Sequence, residues 1–176
     1  ATERKVAENV KRMVEKPVST VPEAQKIPLY EPTALKEEVI SAEDFVQPRY
    51  TRRIQEKICR VIEKEAPVSE SLLTRRVVQS FGIARAGNRI QSRMTQIMSN
   101  TGLNCTKSDG QLVFWKTGQT PKSYTGFRAS GEGKAKREAR DVPVQEAANA
   151  ICRVLYEQIS LLEEDLIREA ARLMGY

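Results

Sequence analysis

The sequence predicts a mainly α-helical protein with one small β-hairpin. Apolar residues recur at helical spacing in several segments, and a short β-rich stretch follows an Asp-Gly pair. The composition, 40% apolar and 30% charged over 176 residues, is typical of a globular protein with many exposed helix positions. This length is enough for one ordinary domain or two small ones.

Two helices are predicted between Tyr50 and Ser80. The apolar stripe of the first helix has the spacing i, i+4, i+7 and i+8 and consists of Ile54, Ile58, Val61 and Ile62. Ala66-Pro67 ends this helix, because a residue before proline avoids helical backbone angles. Ser69 supplies an N-cap oxygen for the second helix, and Gly82 is predicted as the glycine just beyond its end.

A third helix and a hairpin complete the predicted domain. The helix runs from about Ala86 to Ser99, and short strands follow at 103–106 and 111–116. Asp109-Gly110 between them is a strong hairpin-turn signal. Three helices followed by a two-stranded hairpin is the order of a winged-helix (helix-turn-helix) domain, predicted here for residues 49–117, with the hairpin as its wing.

The segments on either side of this domain are predicted to be less ordered. Residues 1–48 contain five prolines and are interpreted as an N-terminal tether with two short helices, over Glu3–Lys16 and Ala34–Phe45. Residues 118–140 are polar, basic and glycine-bearing, which is typical of a linker.

An internal repeat indicates a second, incomplete unit at residues 141–176. With a shift of 93, Ile58-Cys59-Arg60-Val61 falls on Ile151-Cys152-Arg153-Val154, and Gly82 falls on Gly175. In the alignment of residues 58–82 with residues 151–175, eight of the 25 positions are identical. The sequence therefore predicts a truncated second winged-helix-like unit. Its apolar face would pack on the first domain, on the N-terminal tether or on another copy, so a homodimer is one expectation.

Basic charge is concentrated in the middle of the chain. Residues 51–140 carry 18 basic and 7 acidic side chains, whereas residues 1–50 have a net charge of −1 and residues 141–176 a net charge of −4. Such a concentration is the electrostatic footprint of a polyanion-binding module. The alternative is a solvated surface that happens to be basic.

The third helix carries the candidate DNA-binding residues. Residues 71–108 contain no Asp or Glu, and helices with purely solvating charge normally mix signs. Arginine and asparagine also make bidentate contacts with base edges in the major groove. The predicted contacts are an arginine stripe, the polar residues beside it and two lysines flanking the wing: Arg85, Asn88, Arg89, Ser92, Arg93, Gln96, Lys107 and Lys116. Alternatively, this helix packs on a neighbouring acidic domain.

The sequence indicates neither an active site nor a cofactor site. Histidine is absent, and the three cysteines, Cys59, Cys105 and Cys152, lack the spacing of a metal or redox motif. We predict reduced, mostly buried thiols in a cytoplasmic protein. For these reasons we predict no metal and no cofactor. We also predict no membrane partner, because no apolar run approaches the length of a membrane span.

Four stretches resemble a known family: LLTRRVVQSFGIARAGNRIQSRM, LVFW, DVPVQEAANAI and EEDLIREAARLMGY. The chain from Pro28 to Tyr176 is similar to an uncharacterised domain that ends very long bacterial proteins. Those proteins combine a superfamily-one-type DNA helicase motor with a nuclease domain like the very-short-patch repair endonucleases. The resemblance rests mainly on two motifs, G-x-x-R-x-G-x-R at Gly82–Arg89 and L-I-R-E-A-A-R-L-x-G at Leu166–Gly175.

The resemblance implies a place in a DNA-processing machine, with the helicase and nuclease domains of the parent chain as partners. It supplies no catalytic residue, because the motor and nuclease motifs are absent from these 176 residues. We therefore expect a non-catalytic DNA-binding accessory module. The alternative is a protein–protein docking module for the helicase or nuclease domains that binds no DNA.

Overall fold

The computed structural model describes residues 27–108, 110–133, 136–158 and 161–176, without the side chain of Ser108. The predicted helix Glu3–Lys16, the first part of the predicted tether and Asp109 of the predicted turn lie outside the described residues.

The described part of the chain is mainly helical and contains one small sheet. The α-helices are α1 (Ala42–Phe45), α2 (Thr51–Glu65), α3 (Glu70–Gln79), α4 (Asn88–Asn100), α5 (Val144–Glu157) and α6 (Glu163–Leu173). The strands are β1 (Val68–Ser69), β2 (Cys105–Ser108) and β3 (Gln111–Phe114). Two 3₁₀ turns, Pro48–Tyr50 and Ala139–Asp141, precede α2 and α5.

The sheet has three antiparallel strands in the order β1-β3-β2. Strands β2 and β3 form the predicted hairpin, with Cys105 opposite Phe114 and Ser108 opposite Gln111. Strand β1 adds to the other edge of β3, with Val68 opposite Phe114. The sequence predicted only the hairpin, because a two-residue strand is too short to show alternation.

The three central helices follow their predicted positions closely. Helix α2 ends at Glu65, directly before Ala66-Pro67. Ser69 caps α3, since its side-chain oxygen accepts a hydrogen bond from the backbone N–H of Leu72 at 3.4 Å. Gly82 adopts φ +74°, the left-handed conformation expected of a glycine beyond a helix end.

Helix α4 begins two residues later than predicted, at Asn88. Arg85, which precedes the predicted start, lies in a bend. The spacing i, i+4 and i+8 of Arg85, Arg89 and Arg93 therefore does not form one stripe along a continuous helix.

The core is built around α2, α3 and α4, with side chains from the flanking segments added to it. Tyr30 and Phe45, from the predicted tether, are 3% and 0% exposed. The ring of Phe45 packs edge-on against Phe81, with centroids 5.4 Å apart. Arg137, from the predicted linker, is 1% exposed. The described parts of both flanking segments thus pack against the helices.

Instead of the predicted helix Ala34–Phe45, only Ala42–Phe45 is helical. The residues before it run alongside the end of α3, where the N–H of Glu38 donates to the carbonyl of Ser80 (2.8 Å). The N–H of Ile40 donates to the carbonyl of Phe81 (3.1 Å). These tertiary hydrogen bonds compete with a local helix for the same backbone groups.

The prediction of buried thiols is wrong. Cys59, Cys105 and Cys152 are all exposed. Cys59 and Cys152 lie on the solvent side of α2 and α5, beside the buried Ile58 and the half-buried Ile151. Hydrophobicity alone does not determine which face of a helix a cysteine occupies. In the described part of the chain, no helix has both the length and the apolar character needed to cross a bilayer.

Candidate nucleic-acid interface

Helix α4 has two chemically distinct sides. Its apolar stripe has the spacing i, i+4, i+7 and i+8 and is buried against the rest of the core: Ile90, Met94, Ile97 and Met98. The opposite side is polar and exposed, and it contains no acidic residue. Burial of the stripe therefore orients the polar side towards solvent.

Five of the predicted DNA-binding residues lie together on this exposed side or at its start. Asn88, Arg89, Ser92 and Gln96 are exposed on α4, and Arg85 is exposed in the bend that leads into it. Neither arginine takes part in an ion pair within the described residues. We call these five residues the α4 surface.

The first turn of α4 is also available to a ligand. Gly87 is its N-cap residue and has no side chain that accepts a hydrogen bond from the backbone N–H groups. Uncapped N–H groups at a helix start, together with the helix dipole, favour an anion at that position. Asn88 and Arg89 occupy the same turn, so backbone and side-chain donors face one region.

Arg93 is oriented differently from the other two arginines of the predicted stripe. It is half-buried, and its guanidinium donates to the hydroxyl of Thr51 (2.6 Å) and to the side-chain oxygen of Gln96 (2.8 Å). Thr51 is the first residue of α2, so Arg93 joins the start of one helix to the middle of another. Part of its hydrogen-bonding capacity is used inside the protein.

The two predicted lysines beside the hairpin also differ. Lys107 is exposed on β2. Lys116 follows β3 and is half-buried, and its ammonium group lies 3.9 Å from the carboxylate of Glu63 on α2. Lys107 is therefore the more accessible of the two to an anionic ligand.

A cleft of about 560 Å³ lies between α3 and α4. Three arginines line it, and two of them already have acidic partners: Arg75 pairs with Asp141 and Glu138, and Arg140 pairs with Glu138. Arg85 is the third. Arg85 is therefore the arginine of this cleft that has no acidic partner among the described residues, and it also belongs to the α4 surface.

The tertiary structure adds candidate DNA-binding residues that the sequence pattern did not indicate. Gln91 and Thr95 are exposed on α4 beside the predicted residues. The contact between Arg93 and Thr51 brings the start of α2 to this side of the molecule, and Arg52, with a side chain 90% exposed, is the next residue. No sequence signal links Arg52 to α4, because about 40 residues separate them.

Residues 43–92 match the model of a family described as a protein of unknown function (DUF3320). The matched region runs from α1 to the first five residues of α4, and it includes Arg85, Asn88 and Arg89. No curated protein and no solved structure gives a match. The family match supports the expected similarity to an uncharacterised domain family, and its description mentions neither a helicase nor a nuclease.

Proposed function

We propose that this chain is a non-catalytic, cytoplasmic DNA-binding module that serves a DNA helicase of the kind implied by the resemblance. The observation that carries the proposal is the α4 surface: two arginines without acidic partners and three neutral polar side chains, all exposed on the acid-free helix α4 or in the bend before it. Exposed positive charges without acidic partners favour an anionic ligand. A phosphate backbone supplies such anions.

The element order supports a winged-helix interpretation of residues 51–114. The order α2-β1-α3-α4-β2-β3, with the sheet order β1-β3-β2, agrees with that of a winged-helix domain. In this interpretation α3 and α4 are the helix-turn-helix pair and the β2-β3 hairpin is the wing. The α4 surface would then enter the major groove with its N-terminal end nearest the bases.

Within this proposal the residues have separate roles. Arg85, Arg89 and Lys107 would contact phosphates, helped by the uncapped N–H groups at the start of α4. Asn88 and Gln96 would contact base edges or phosphates through their amides. Arg93 and Lys116 would mainly orient the helix and the hairpin, because each already contacts a residue of α2.

The test is the double substitution Arg85→Glu with Arg89→Glu in the full chain, with binding to labelled duplex DNA measured by fluorescence anisotropy. Neither arginine has an ion pair to lose within the described residues, so the thermal transition should change little. We expect binding to weaken by about 100-fold or more at low salt, because each substitution replaces attraction to phosphates by repulsion. For the unmodified chain, a log–log salt slope of about −4 would indicate about four phosphate contacts.

The matched control is Arg168→Glu with Arg172→Glu, which makes the same change in net charge on α6. Both side chains are largely exposed, at 62% and 70%. If both double mutants lose the same affinity, the interaction is only with the net charge and the α4 surface is not the site. A correctly folded chain that binds no DNA at low salt would favour the alternative, a docking module for the helicase or nuclease domains.

A further inference from the structure

Helices α5 and α6 expose more apolar surface than the rest of the described chain. Among the described residues, seven large apolar side chains are exposed, and five of them belong to α5, α6 and the residues next to α6: Leu155, Tyr156, Leu162, Ile167 and Tyr176. Leu162 is 76% exposed and Ile167 57%. Large groups of exposed apolar side chains are typical of surfaces that bind another segment or molecule.

The pair α5–α6 has the same construction as the pair α2–α3. Helices α5 and α6 begin 93 residues after α2 and α3, which is the shift of the sequence repeat. Gly82 and Gly175 both adopt positive φ, +74° and +83°. In both pairs an extended segment donates a backbone N–H to the carbonyl just before this glycine: Ile40 to Phe81 (3.1 Å) and Ser130 to Met174 (2.7 Å).

The two pairs differ in what covers them. Ile62 on α2 is 7% exposed and belongs to the core cluster to which α4 contributes its apolar stripe. Leu155, its counterpart on α5, is 48% exposed. Similarly, Thr74 on α3 is 9% exposed, whereas its counterpart Ile167 is 57% exposed. The repeat thus indicates that no element packs on the exposed apolar side chains of α5–α6 in the described structure, whereas α4 and the hairpin pack on the corresponding side of α2–α3.

A segment of this chain has the pattern needed for that cover. Residues 1–26 lie outside the described part, but their sequence contains an apolar stripe at i, i+4, i+7 and i+8: Val6, Val10, Met13 and Val14. The buried stripe of α4 has the same spacing. In addition, residues 3–16 carry five basic and three acidic side chains, whereas residues 141–176 have a net charge of −4. The two segments are therefore complementary in charge.

The described chain begins beside α6. The N–H of Tyr30 donates to the carbonyl of Ala129 (2.8 Å), and the N–H of Ala129 donates to the carbonyl of Pro28 (2.9 Å). The next residue, Ser130, donates to the carbonyl of Met174. Ten residues, 17–26, separate the apolar stripe segment from Ile27 and span at most about 36 Å when extended. This reach exceeds the length of α6, about 16 Å for eleven residues.

We propose that residues 3–16 dock their stripe of Val6, Val10, Met13 and Val14 onto the exposed apolar side chains of α5–α6 in the same chain. They take the position there that α4 takes on α2–α3. The docked segment covers Leu155, Leu162 and Ile167.

The experiment measures amide hydrogen exchange in the full chain. The double substitution Val10→Glu with Met13→Glu places two charges on the stripe, and we expect amides of α5 and α6 to exchange about tenfold faster or more. The control Lys11→Gln with Arg12→Gln makes the same change in net charge on the opposite face. It should change exchange by no more than about threefold. Amides of α2 should be unaffected in both variants, which verifies that the fold is intact.

Two outcomes would overturn the proposal. Equal exchange of α5 and α6 in the unmodified chain and in Val10→Glu/Met13→Glu would show that the stripe does not cover them. Protection that increases with protein concentration, together with a dimer in sedimentation, would assign the cover to a second copy. A monomer whose α5–α6 protection is lost only in the stripe variant is the expected result.

Discussion

At the scale of single residues, the most constrained group is a buried cluster of one carboxylate and two arginines. Glu146 on α5 is fully buried and accepts two hydrogen bonds of 3.0 Å from the guanidinium of Arg137, and it also pairs with Arg128. Arg128 in turn donates to the backbone carbonyls of Glu65 and Pro67, both at 2.8 Å. The cluster therefore links α5 to the end of α2.

The pKa of Glu146 reflects two opposing effects. Burial alone would raise it, but the hydrogen bonds from Arg137 and Arg128 outweigh burial, so the pKa lies below its usual value of 4.5. The unfolded chain thus takes up this proton at a higher pH than the folded chain does. The stabilisation by Glu146 is complete above its unfolded pKa and is lost as the pH falls through its folded pKa.

We predict that Glu146→Gln lowers the free energy of unfolding by about 3–5 kcal/mol at pH 7, because the buried guanidinium of Arg137 and the half-buried one of Arg128 lose their counter-charge. The loss should shrink as the pH falls below about 4.5, where the unfolded carboxyl takes up its proton, and should disappear only below the lower pKa of the folded chain. Urea unfolding at several pH values measures both effects. The control Glu157→Gln removes an exposed ion pair with Arg153 and should cost less than about 1 kcal/mol. Equal losses for the two variants would contradict the role of the cluster.

At the scale of elements, Gly82 follows the end of α3 and packs against the extended segment that precedes α1. Its φ of +74° is one that other residues rarely adopt. An added Cβ would lie 3.4 Å from the backbone of Val39 and 3.5 Å from the carbonyl oxygen of Glu38. The same segment donates hydrogen bonds to the carbonyls of Ser80 and Phe81, just beyond the end of α3. The conformation of this glycine thus determines how the segment passes the helix end.

Gly82→Ala should lower the free energy of unfolding by about 1–2 kcal/mol, the cost of a left-handed conformation for a residue with a Cβ. Gly87→Ser is the informative counterpart. Gly87 has φ −71° and nothing within 4 Å of an added Cβ, and a serine there supplies the missing N-cap of α4. That substitution should stabilise by a few tenths of a kcal/mol, about 0.3. Chemical denaturation of both variants checks the signs, and a neutral Gly82→Ala would show that the segment can move.

At the scale of the whole molecule, residues 27–48 are part of the folded structure. Phe45 is fully buried and packs against Phe81, and Tyr30 is buried beside Glu65, to which its hydroxyl donates. Burial first, and then the charge of Glu65, raise the pKa of Tyr30, so the phenol stays protonated and remains a donor. The N-terminal segment therefore contributes directly to the core.

Phe45→Ala should lower the free energy of unfolding by about 3–5 kcal/mol, as for other large aromatic side chains removed from a core. Val39→Ala, in the same segment, should cost less than about 0.5 kcal/mol, because Val39 is 91% exposed. Thermal or urea unfolding of the full chain measures both. A small effect of Phe45→Ala would mean that the segment behaves as the tether that the sequence analysis predicted.

The local elements could be predicted from the sequence alone. Apolar spacing predicted α2, α3 and α4 to within two residues at their starts, Ala66-Pro67 predicted where α2 ends, and Asp-Gly predicted the hairpin. Each of these signals depends on residues close together in the chain, which is why pattern and composition were sufficient. The sequence also identified the acid-free polar side of α4 on which the proposed function depends.

Which polar residues are buried depends on contacts between distant parts of the chain. Arg93 contacts Thr51, and Arg128 contacts the end of α2, 63 residues away. Arg137 is buried although its surroundings in the sequence are polar. A charged side chain is buried where distant partners compensate the cost of removing it from water, and periodicity within a short segment contains no information about those partners.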